Sequence, residues 1–92
     1  MARILQLQQP VGDAQRRLSE IADQRKQIVD EQARLRENLA RVPDNSDLQR
    51  RYLATLDKQE NDLEDLAKRY DQAQKAVDGA REALRNFVTQ LG

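Results

Sequence analysis

Apolar residues recur along this chain in alternating steps of three and four. One series runs Ile4, Leu7, Val11, Ala14, Leu18, Ile21, Arg25, Ile28, Gln32, Leu35 and Leu39. A second runs Tyr52, Leu56, Gln59, Leu63, Leu66, Tyr70, Ala73, Val77, Ala80, Leu84 and Phe87. Such steps keep side chains on one face of an α-helix, in the a and d positions of a heptad repeat. The intervening residues are mostly Leu, Ala, Gln, Arg, Glu and Lys, all strong helix formers. β-Branched residues are too sparse for strands. Two long helices are therefore predicted.

The breaks between them cluster. Pro43-Asp44-Asn45-Ser46 reads as a turn. Pro43 disfavours helical geometry at Val42 and so ends the first helix. Ser46-Asp47-Leu48-Gln49 fits a capping box, in which the Ser46 hydroxyl accepts from an early amide and Gln49 reaches back. Asp47 suits the positive end of the helix dipole. The predicted layout is a first helix over 13–42, a turn over 43–46 and a second helix over 47–91. Residues 1–12 are a helical segment or linker with a break near Pro10 and Gly12, because proline removes one helical hydrogen bond.

Folding the chain at the turn sets the two series against each other in opposite directions. Leu39 then meets Tyr52, Leu35 meets Leu56, Ile28 meets Leu63, Ile21 meets Tyr70, and Ile4 meets Phe87. The two residue numbers add to 91 in every layer, with no slip from the turn to the ends. Unrelated amphipathic helices have no reason to hold such an offset. The fold class expected is all-α: an antiparallel two-helix hairpin, a coiled coil, able to dimerise into a four-helix bundle.

Three seam positions are polar: Arg25, Gln32 and Gln59. Arg25 faces Leu66, and its aliphatic stem can cover the seam while its head reaches water. Gln32 and Gln59 share one layer. A paired polar layer can fix register at some cost in stability; the alternative is that both amides turn outward and are merely tolerated. Three successive layers are small, Leu18/Ala73, Ala14/Val77 and Val11/Ala80. Gly12 and Gly79 lie at matching levels, so close approach or a bend of the helices is expected there.

A two-helix hairpin leaves much of its seam wet, and small scaffolds usually need a further surface. Beside the seam lie Ala22 and Val29 on the first helix and Leu53, Ala67 and Val88 on the second. All five are e positions of the heptad, and in an antiparallel pair both e rows line one side. The other side carries Arg17, Gln24, Glu31, Asp62 and Arg69. The five e-row residues are therefore the candidate partner-binding set, and Gln32 with Gln59 the candidate register layer. The expected partner is a second copy, as a homodimer, or the rest of a parent protein. The alternative is a small adaptor or chaperone-like hairpin that binds a partner helix.

Composition narrows the chemistry. The chain has 92 residues, 16 basic and 16 acidic, with no Cys and no His. Those absences exclude thiolate and Ser-His-Asp chemistry and an ordinary zinc site. The three glycines are far apart and form no phosphate loop. Asp57, Glu60 and Glu64 lie near one another, but a di-metal bundle site needs inward Glu-x-x-His motifs, so they read as a solvated face beside Lys58 and Lys68. Charges of both signs are interleaved, against the basic stripe that nucleic acid requires. Phe87 and two tyrosines make no stacking platform. No apolar run is long enough to span a membrane. No enzyme activity, cofactor, metal, nucleic acid, membrane insertion or small-molecule substrate is expected.

One stretch resembles a known family. Asp30-Glu31-Gln32-Ala33-Arg34-Leu35-Arg36-Glu37-Asn38-Leu39, then Pro43-Asp44-Asn45-Ser46-Asp47-Leu48, then Arg51-Tyr52-Leu53 with Leu56, Gln59-Glu60 and Leu63-Glu64, is similar to the C-terminal coiled-coil segment of the mucoidy-inhibitor-A-like family of bacterial proteins. The likeness covers roughly residues 18–66. It implies a coiled-coil segment of a larger envelope-associated protein with a β-rich body, and it brings no catalytic residues. The function expected is a non-catalytic interaction or spacer module.

Overall fold

The computed structural model describes residues 2–91. It is all-α, with two long helices packed against each other as a hairpin: α1, Ala2–Leu39, and α2, Asp47–Leu91. Residues 23–67 form one compact unit, which contains the turn. The chain's two ends, up to Ala22 and from Lys68 onward, form the other, the terminal unit.

Burial follows the heptad closely. In α1 every seam position except Arg25 is buried or half-buried, and every other position described is exposed. In α2 every seam position except Tyr70 is buried or half-buried. Cross-helix contacts set the register of each unit separately. In the terminal unit the Arg3 guanidinium lies 6.0 Å from the centre of the Phe87 ring, a cation–π contact beside the Ile4/Phe87 layer. In the turn-containing unit Gln32 Nε2 donates to Glu60 Oε1 at 3.1 Å, beside the Gln32/Gln59 layer. Both contacts fit the offset read from the sequence.

The buried apolar residues are Ile21, Leu66, Ala73 and Val77. Three of the four belong to the terminal unit, where the small layers lie. Val77 is 1% exposed. An alanine opposite a valine lets the two backbones come near enough to exclude water. The glycines do not share in this. A Cβ on Gly12 or Gly79 would meet nothing within 4 Å. Both occupy outward heptad positions, away from the seam, and the expectation for the glycines is corrected.

The break expected near Pro10 and Gly12 is also absent, and residues 1–12 are not a linker as far as they are described. α1 runs unbroken through Pro10. Proline costs about 3 kcal/mol inside a helix, through a lost hydrogen bond and a clash with the carbonyl four residues back. Ile4 and Leu7, which lie before it, are half-buried in the seam. Burying those side chains outweighs the local penalty, while Pro10 itself stays exposed.

At the other end α1 stops at Leu39, three residues before the expected limit. Pro43 excludes helical geometry at Val42, and the effect spreads backward as a tightened last turn. Arg41 N donates to Asn38 O at 3.0 Å and Val42 N to Leu39 O at 3.4 Å, both across three residues rather than four. Ser46 N then closes the turn on Pro43 O at 3.4 Å. Asn45 has φ 63°, in the left-handed region that asparagine tolerates better than most residues.

Ser46 caps α2 as expected. Gln49 N donates to Ser46 Oγ at 3.1 Å, and Ser46 Oγ donates to Pro43 O at 2.7 Å. Gln49 reaches back one residue further than a standard capping box, so that Asn45 N donates to its Oε1 at 2.7 Å. On the surface of α2 Asp47 pairs with Arg50 three residues on. Of the other surface pairs, Asp71 and Lys75 meet at 3.1 Å.

Candidate functional site: the e row and the glutamine layer

The heptad assigns two flanks to the hairpin. On one, the e row, the sequence pointed to Ala22, Val29, Leu53, Ala67 and Val88. All five are exposed. Val29, Leu53 and Val88 each leave nearly half their surface in water. In the terminal unit Leu5, next to the e row, and the seam-edge residue Tyr70 are exposed as well. On the other flank Leu48 is the single large aliphatic residue exposed among those described.

The turn-containing unit holds three of the five together: Val29, Leu53 and Ala67. Its e row is not continuously apolar. Arg36 Nη2 lies 3.7 Å from Glu60 Oε1, joining one e position of each helix. Val29 lies one heptad before Arg36, and Ala67 one heptad after Glu60, so Val29 and Ala67 are the next facing e pair. The ion pair separates that apolar pair from Leu53. Both its side chains remain about three-fifths exposed, so its own contribution to stability is small. In the terminal unit Ala22 and Val88 sit on the e row with Gln8, Gln15, Gln74 and Arg81 between them in the heptad. There the row is mostly polar.

Gln32 and Gln59 are buried, 3% and 6% exposed. The outward-turned alternative is thereby excluded for both. They do not satisfy each other fully. Gln32 turns its amide N–H to Glu60, whereas Gln59 Oε1 is buried with no hydrogen-bond partner. A buried amide oxygen left unpaired costs roughly 1–3 kcal/mol. Glu60 thus serves two neighbours, accepting from Gln32 and facing Arg36. The link is not visible in the sequence, where Glu60 beside Asp57 and Glu64 reads as a solvated carboxylate, and the side chain does remain about three-fifths exposed. Its e position, adjacent to Gln59, was the available signal.

No group of three or more potential metal ligands occurs among the described residues. Among the described residues no helix is long and apolar enough to cross a membrane. A shallow recess in the terminal unit is lined by Arg17, Arg69, Gln72, Ala73 and Ala76; it is open to solvent and belongs to the flank opposite the e row. The molecule is therefore of the helical-hairpin class, with an exposed, partly aliphatic flank as its most distinctive surface. No family model, curated protein or solved structure matches the chain, so the likeness to the mucoidy-inhibitor-A-like segment rests on the residues quoted for it.

Proposed function

We propose that the chain is a non-catalytic helical-hairpin module that binds a further helical surface through its e row. The observation that carries this reading is the placement of the exposed aliphatic residues. Val29, Leu53 and Val88 occupy one heptad row, although a solvated helix face would be expected to carry charge there. Aliphatic e positions widen the apolar stripe beyond a two-helix seam, the pattern of helices that pack in bundles. The envelope association implied by the family likeness fits a segment whose work is to space or join other parts.

Sedimentation of the purified chain over a range of concentration tests the reading. Assembly beyond the monomer is expected. Val29→Lys/Leu53→Lys should abolish it while leaving the far-UV circular dichroism of the hairpin unchanged, since neither side chain is buried. Assembly unaffected by the double substitution would place the interface elsewhere.

A further inference from the structure

The flank of the turn-containing unit is electrically divided. On α1 the e row and the outer row beside it hold Lys26 and Arg36 with Val29 and Ala33, and no acid. On α2 the same two rows hold Asp57, Glu60 and Glu64 with Leu53 and Ala67, and one base, Arg50, at the turn end, where it is paired with Asp47. All of these residues are exposed. The chain as a whole is neutral, so the division is a local arrangement rather than a consequence of net charge.

We propose that the surface covering this flank is a second copy of the chain, docked face to face with both turns at the same end. α1 of each protomer then lies on α2 of the other. This rests on the reading of the e row as an interface and adds its occupant and orientation.

Charge complementarity and closure select the orientation. Two hairpins can place these flanks together by a twofold rotation in two ways. If the axis runs along the hairpin, the basic half of each flank meets the acidic half of the other. If the axis runs across it, α1 lies on α1 and α2 on α2. Basic rows then oppose basic rows and acidic rows oppose acidic rows, an arrangement that like charges penalise. The first is self-complementary and the second is not.

Closure also sets the level of each contact. A twofold axis along the hairpin permits no sliding in a closed dimer. Residues of α1 therefore face residues of the partner's α2 at the same level as they face their own. By the offset of the hairpin, Lys26 lies within one residue of the level of the partner's Glu64 and Arg36 within two of the level of the partner's Asp57, each contact made twice. Val29 of each copy falls between these two contacts and Ala67 just beyond the first, and together they exclude water. The product is an antiparallel four-helix bundle in which every helix has two antiparallel neighbours.

The chain has no cysteine, so a spin label placed at Glu82→Cys, exposed, outward in the heptad and far from the turn, reports the orientation. Distances between the two labels should centre within about 30 Å, allowing an interaxial spacing of 8–10 Å and two label arms. Lys26→Glu should weaken the dimer at least tenfold, and adding Glu64→Lys should restore it. A dimer whose labels lie much farther apart, or one that Lys26→Glu strengthens, would overturn the orientation and leave the e-row reading standing. A chain that stays monomeric at high concentration would overturn the second copy as occupant.

Discussion

Replacing Val77 with aspartate is expected to cost about 3–5 kcal/mol, enough to unfold the terminal unit. Val77 is almost wholly buried. It lies in the run of small layers, where Ala73 and Ala80 on its own helix leave no room for an ion to reach water. A carboxylate there must either lose its hydration or prise the helices apart. The unit has few other buried apolar groups, chiefly Ile21 and Ala73, so the loss cannot be spread over a large core. Ala76→Asp is the control. Ala76 is the neighbouring residue but is exposed, and its change should stay within about 0.5 kcal/mol. Urea unfolding followed by circular dichroism separates the two. Equal effects would mean that the seam does not carry the stability of this unit.

Replacing both Gln32 and Gln59 with leucine is the second large effect, and it has the opposite sign. Gln59 Oε1 is buried and unpaired. Removing it and adding apolar surface to the layer should stabilise the chain by about 1–3 kcal/mol. The gain has a consequence for uniqueness. A polar layer penalises any slipped pairing that sets a glutamine against leucine, and an all-apolar seam loses that penalty. The double variant should unfold at higher urea and at the same time populate additional species in sedimentation. A more stable chain that remains one species would show that the glutamines are tolerated and specify nothing.

The helices and their register were readable in the sequence because both depend on a long periodic pattern. Each layer repeats the same information, so single exceptions such as Arg25 do not disturb it. What misled was local. Pro10 and Gly12 carry strong intrinsic signals for a break, yet α1 runs unbroken through them and Ile4 and Leu7 on the far side are half-buried in the seam. The glycines at matching levels suggest close approach, but their heptad positions point outward, where an added side chain would meet nothing within 4 Å. The candidate flank was legible only as a list of apolar e positions. Its division into basic and acidic halves needed Lys26, Arg36, Asp57, Glu60 and Glu64 to be placed on the same rows. The role of Glu60 depends on a rotamer that periodicity does not specify.

A constant antiparallel offset between α1 and α2 underlies everything above. Cysteine pairs test it most directly in a chain that has none of its own. Ile28→Cys/Leu63→Cys places the thiols in one layer, and Ile28→Cys/Leu56→Cys displaces one of them by a heptad. Under mild oxidation at a dilution that suppresses intermolecular linkage, the first pair should close an intrachain disulfide rapidly and the second should remain reduced. Efficient closure of the displaced pair, with the matched pair left open, would contradict the account.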